Sequence, residues 1–230
     1  TSTKEGQTTV GIKLANGFHE QPIRWQILKG TDEELTSIAK QFRSVKPIDL
    51  KELTKGGAAR WANHSVTTNG RNGTSDSAYA IDTIEIPFGK ENPFSTPMRL
   101  GGVDFLPDGR CAVCTLSGDV WIVDGLEGEF NSHKWKRIAA GLCQPLGLAV
   151  VDGKIVVSGR DQLTRLHDIN GDDEIDFVEC ITSEFITNPG HDVVTCLDMD
   201  DDGNFYFDSS VQGVLKYSPE TDTVQVLGSG

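Results

Sequence analysis

No stretch of this 230-residue chain approaches the roughly 20 consecutive apolar residues that a membrane-crossing helix needs. The opening TSTKEGQTTV also lacks the charged and apolar regions of a secretory signal. Basic residues are scarce: 21 Lys and Arg stand against 34 Asp and Glu, a net charge of -13. That balance repels phosphate backbones and anionic lipid, so neither nucleic acid nor a membrane surface is an expected partner. Cysteine is scarce as well. Cys111, Cys114, Cys143, Cys180 and Cys196 are odd in number and too scattered for a disulfide scaffold. Cys111 and Cys114 have C-x-x-C spacing, but they fall in an alternating strand pattern, where residues three apart point to opposite faces. No second such pair and no His after Cys114 completes a zinc or c-type haem motif, so these two are expected as buried thiols.

The most informative stretch that is present runs D-I-N-G-D-D-E-I-D-F-V-E, from Asp168 to Glu179. Oxygen-bearing side chains fall at loop positions 1, 3, 5, 9 and 12, which are Asp168, Asn170, Asp172, Asp176 and Glu179. Position 7, Glu174, is where an EF-hand-type loop uses a backbone carbonyl. This spacing suits calcium, a hard cation that takes six to eight oxygens from a loop wrapped around it. The sharp-turn glycine of position 6 is replaced by Asp173, and the nearby glycine is Gly171 at position 4. The expected ion ligands are therefore Asp168, Asn170, Asp172, Glu174, Asp176 and Glu179, in a structural role. Asp-Asn-Gly runs also make ordinary turns, since they accept left-handed geometry and bond their own backbone.

From about residue 98 the chain repeats one phrase three times. G-V-D-F-L-P-D-G (102–109), L-G-L-A-V-V-D-G (146–153) and T-C-L-D-M-D-D-D-G (195–203) each end in an Asp-Gly turn. Each leads into a second apolar run, a polar turn and a third run. Asp-Gly between alternating apolar runs is a strong hairpin signal, because glycine accepts the positive φ the turn needs. Gly109, Gly153 and Gly203 are 44 and 50 residues apart, and the third-run position twelve residues after each holds Trp121, Arg165 and Leu215. A strand unit recurring every 40 to 50 residues or so marks a β-propeller blade, with a β-sandwich as the competing architecture. The expected fold is mainly β: a partial β-propeller of about three four-stranded blades, preceded by a short α/β remnant. About three blades fall short of the four to eight of a closed ring, so a piece of a longer protein is expected. On this reading the acidic loop follows the second blade's third strand and lies between the second and third blades or on a blade's outer edge.

The first 50 residues read differently, as the tail of a preceding module. V-G-I-K-L (10–14) and I-R-W-Q-I-L (23–28) alternate as strands. Residues 31–42 read as a helix, with Thr31 and Glu34 as a capping box and Leu35, Ile38, Ala39 and Phe42 on one apolar face. Residues 51–77 read as a polar connector, and 78–230 as the propeller part, with 79–88 its first outer strand.

The phrases D-L-K-E-L-T-K-G-G-A-A-R-W (49–61), G-D-V-W-I-V (118–123), Q-P-L-G-L (144–148) and G-R-D-Q-L-T-R-L-H-D-I-N-G-D (159–172) carry a resemblance. They resemble large secreted propeller proteins of planctomycetes and verrucomicrobia labelled membrane-bound dehydrogenases, similar to soluble glucose and sorbosone dehydrogenases. The resemblance implies an extracytoplasmic location, periplasmic or secreted, and pyrroloquinoline quinone as cofactor beside calcium. It also implies a sugar or alcohol substrate and an accompanying cytochrome c domain. His191, just ahead of an inner strand, would be the general base taking the substrate hydroxyl proton. Arg160 and Arg165 would hold the anionic quinone through bidentate contacts; structural pairing with Asp161 or Asp168 is their plainer alternative. Asp104 and Gln144 would line the central channel. The alternative function is a non-catalytic binding or scaffold propeller recognising polysaccharide or protein, and a lactonase-like hydrolase ranks behind both.

Overall fold

The computed structural model describes residues 2–4, 7–9, 29–44, 49–74, 76, 78–188, 190 and 192–228. The chain divides into two compact units, Thr1–Leu50 and Lys51–Gly230. In the first, β1 (Ser2–Lys4) pairs antiparallel with β2 (Gln7–Thr9), and α1 spans Asp32–Ser44. The helix begins at its capping box. Glu34 N–H donates to Thr31 Oγ1 at 3.4 Å, and Thr31 N–H donates to the Glu34 carboxylate at 2.8 Å. The strands expected at 10–14 and 23–28 lie outside the described residues.

The second unit holds antiparallel sheets, and the protein is mainly β. Its strands are β3 (Val66–Arg71), β4 (Thr83–Ile84), β5 (Leu100–Phe105), β6 (Cys111–Thr115), β7 (Val120–Asp124) and β8 (Ser132–Ala139), then β9 (Gly147–Val151), β10 (Lys154–Ser158), β11 (Leu163–His167) and β12 (Phe177–Thr182). The last four are β13 (Val194–Met199), β14 (Phe205–Ser209), β15 (Gly213–Ser218) and β16 (Thr223–Gly228). The first sheet has the order β4-β3-β8-β7-β6-β5, the second β12-β11-β10-β9 and the third β13-β14-β15-β16. Each repeated phrase folds as consecutive strands, hinged at its Asp-Gly turn, where Gly109, Gly153 and Gly203 take φ of 85°, 73° and 80°. A side chain would be strained there.

Three expectations need correction. The polar stretch assigned to a connector contains β3, which adds to β8 with Val66 opposite Trp135 and Thr68 opposite His133. Val66, Thr67 and Thr68 are β-branched, and Thr68 is buried as acceptor of the Trp135 indole N–H at 3.0 Å. The stretch 79–88 supplies only the two-residue β4. Finally, the even spacing of Trp121, Arg165 and Leu215 is misleading. Trp121 stands opposite Val113 and Leu215 opposite Phe207, but Thr164 holds the matching place opposite Val157. The second copy's turn is one residue shorter, and a one-residue slip carries Arg165 to the other face of its sheet.

The first two sheets bury both faces of their middle strands β6 and β10. Ala112 and Cys114 of β6 join Ile155 and Val157 of β10 in one core, while Val156 joins Phe205, Phe207 and Leu215 in the next. That two-sided burial is why C-A-V-C-T and K-I-V-V-S read as unbroken apolar runs. On the first sheet's other face, Cys111, Val113, Trp121 and Trp135 pack with Phe94 and Met98. Cys111 and Cys114 thus point to opposite faces, and burial pushes each thiol up to about 11. The first strands stand side by side, β5 next to β9 and β9 next to β13. Glycine makes this approach possible: a Cβ on Gly102 would collide with the Leu148 backbone, and one on Gly147 with the Cys196 backbone. Gly147→Ala is therefore expected to lower stability by about 1–3 kcal/mol in urea unfolding. Gly228→Ala, where a Cβ meets nothing within 4 Å, should leave the midpoint unchanged.

Candidate functional site

The acidic loop joins β11 to β12, so it lies within the second sheet, and it leans on the first sheet. Of the two expected addresses, a blade's outer edge fits the β11–β12 connection, and three contacts turn the loop towards the first sheet and away from the third. Lys136 Nζ donates to the Asp172 carbonyl at 2.5 Å, Arg110 Nη1 to Asp173 Oδ1 at 3.0 Å, and Ile175 N–H to the Ile138 carbonyl at 2.9 Å. Ile175 also packs against the core shared by these two sheets. Between the sheets, next to the loop, lies a cleft of 290 Å³ walled by Leu106, Ile122, Ile138, Ile155 and Leu166.

The loop wraps around Asp168. Asp168 Oδ1 accepts N–H bonds from Gly171 at 2.7 Å and Asp172 at 3.3 Å, and Oδ2 accepts from Asp173 at 2.8 Å. Asn170 Oδ1 accepts from Asp172 N–H at 3.1 Å, and Asp172 Oδ1 from Glu174 N–H at 2.9 Å. The turn survives the missing glycine because Asp173 itself adopts a φ of 60°, beside Gly171 at 76°. Aspartate is among the few side chains that tolerate this region.

The six expected ligands separate into two groups. The Asp168 and Asp172 side chains bond the loop's own groups, while Asn170 and Asp176 also reach Gly57. Glu174 is turned inward and only 3% exposed, its two oxygens accepting the backbone N–H of Arg60 at 2.5 Å and of Trp61 at 2.7 Å. Glu179 stands on β12 opposite Arg165. It bonds His167 Nε2 at 2.6 Å and Arg165 Nη1 at 3.2 Å, and the His167 bond foremost holds its carboxyl below the usual range. Asp176 accepts N–H bonds from Gly57 at 2.5 Å and Ile169 at 2.9 Å, which lower its pKa likewise. Within the loop most of these side-chain oxygens accept backbone N–H bonds, which fix the positions of the carboxylates around the turn.

The two arginines expected at the quinone take separate partners. Arg165 is committed to Glu179. Arg160 donates to Gln144 Oε1 at 3.3 Å and to the Asn188 carbonyl at 2.6 Å, tying the second sheet to the segment entering β13. Neither arginine pairs with the Asp161 or Asp168 of the plainer alternative. His191 lies outside the described residues. Its neighbour Asp192 accepts the Asn188 N–H at 2.7 Å. Asp104 is an inter-sheet tie, accepting the Val150 N–H at 2.7 Å, and Gln144 is occupied by Arg160.

One polar constellation escaped the sequence reading. Arg137 on β8 pairs with Asp119 at 3.3 Å, both buried, with its guanidinium 3.3 Å from the Phe94 ring centroid and 4.3 Å from that of Trp61. Thr96 Oγ1 donates to the second Asp119 oxygen at 2.7 Å. The only signal was an acid at the start of an apolar run, since its partner is 18 positions away. Among known proteins, no family model matches the chain and no curated protein matches it.

Proposed function

We propose that this chain is an arc of a β-propeller that serves as a binding or scaffold module and is stiffened by a structural calcium ion. Two features support the propeller: the succession of antiparallel meanders, and first strands set side by side so that each sheet stacks on the next. The observation that carries the ion is the loop backbone. Asp173 supplies the left-handed turn and Asp168 collects three successive N–H groups, so the departure at position 6 does not prevent the wrap. Asp168, Asn170, Asp172 and Asp176, with the Glu174 carbonyl, would hold the ion. The Glu174 and Glu179 carboxylates are engaged elsewhere. A bound calcium would neutralise the clustered carboxylates of a loop that already ties the second sheet to the first.

The test is a calcium titration of thermal stability. At a hundred times Kd the ion should add about 2.7 kcal/mol, with chelator reversing the gain. Asp168→Ala should abolish the response. A melting temperature indifferent to calcium and to chelator alike rules the ion out.

The second reading is the quinoprotein-like dehydrogenase of the resemblance, acting on a sugar or alcohol in an extracytoplasmic setting and passing electrons to a cytochrome c domain. In its favour, residue 191 precedes β13, one of the first strands set side by side. His191→Ala in the complete, quinone-loaded protein should then abolish oxidation. Unchanged turnover leaves the scaffold reading.

A further inference from the structure

Residues 56–61 belong to no helix or strand, yet the acidic loop holds them along their length. Gly57 is gripped from both sides: its N–H donates to Asp176 Oδ1 at 2.5 Å, and its carbonyl accepts from Asn170 Nδ2 at 2.5 Å. Glu174, buried, takes the N–H groups of Arg60 and Trp61. Arg60 Nη2 reaches the Ile175 carbonyl at 3.4 Å. The fit is steric as well. Gly56 has a φ of 82°, and a Cβ on it would lie 2.6 Å from Asp176 Oδ2 and 3.0 Å from Asn170 Cβ.

The hold differs in kind from a strand ladder. The acceptors are chiefly side chains of one loop, more than a hundred residues away in sequence, and Gly57, Ala58 and Arg60 are exposed. Beneath the end of this segment, Trp61 packs its ring on the Arg137 guanidinium at 4.3 Å and edge-on to Phe94 at 6.1 Å. A segment outside helix and strand, with exposed residues and few buried apolar contacts, opens at a lower free energy than core strands.

We propose that residues 56–61 are a detachable strap, fastened by Glu174, Asp176 and Asn170, which opens and closes over the Arg137–Phe94 stack as one unit while the three sheets stay folded. Glu174 is its main fastening. It is the buried acceptor, and it holds the two residues that set Trp61 in place. The strap's main fastening is a carboxylate that takes no part in the proposed ion site, so the strap is tested in the absence of calcium.

Native-state hydrogen exchange of the full chain, read by residue in the presence of chelator, tests the strap. Glu174→Ala should speed exchange at the Arg60 and Trp61 amides by about 30-fold, the scale of losing a charge-assisted hydrogen bond. Gly56→Ala should free the Gly57, Arg60 and Trp61 amides together from the opposite end. In both variants the amides of Val113, Val156 and Phe207, in the middle strands, should exchange as before. Acceleration of those strand amides in step with the strap would make the segment an inseparable part of the sheets and overturn the proposal. So would strap amides that respond to neither substitution.

Discussion

Asp119→Ala is expected to destabilise the protein by about 3–5 kcal/mol, because it leaves the Arg137 guanidinium buried without its counter-charge. With the strap closed, Arg137 is held away from water. Phe94 and Trp61 stack on it, and its Nε already has no hydrogen-bond partner. Burial lowers the pKa of this arginine, the direction expected of a desolvated cation. The substitution also removes the acceptor of the Thr96 hydroxyl. Asp119→Asn keeps a polar group of the same shape but no charge, and should fall between wild type and alanine. Urea unfolding of the three proteins checks the order. Equal midpoints for Asp119→Ala and wild type would mean that the cation is reached by solvent.

Phe207→Ala should have an effect of similar size, about 3–5 kcal/mol, for a different reason. Phe207 is 1% exposed in the core between the second and third sheets, edge-on to Phe185 with ring centroids 5.1 Å apart. Truncation leaves a cavity where two sheets meet, and strands fixed by their hydrogen-bond ladders relax little to fill it. Calorimetry distinguishes two modes of failure. A single lowered transition means that the three sheets unfold together. A split transition means that the third sheet comes away first, along the seam that Gly147 also controls.

Parts of this architecture were legible because they depend on local geometry. The Asp-Gly turns at 108–109 and 152–153 demand positive φ at glycine, and the apolar runs beside them have nowhere to go but between layers. Thr31 and Glu34 announced the helix for the same reason, since a capping box closes within four residues. The loop was legible as a turn-forming, oxygen-rich run, but the three N–H bonds of Asp168 and the turn shared by Gly171 and Asp173 were not. Arg165 shows where this reasoning ends. Counting residues from Gly153 placed it with Trp121 and Leu215, yet a turn shorter by one residue moved it to the other face.

The amino-acid sequence alone determined the strand phrases, their threefold repetition, the turn residues and the oxygen-rich loop, because each follows from φ preferences and the two-residue period of a strand. It could not assign the fate of each carboxylate. Glu174 and Glu179 have the spacing of ligands, but one found backbone N–H groups 113 and 114 residues away and the other an arginine and a histidine on the neighbouring strand. Nor could it say which sheet the loop would lean on, or that β3 would cross a polar stretch to join β8. Those outcomes depend on the surfaces that meet when sheets stack. A buried charge takes the nearest donor in space, and distance along the chain does not enter.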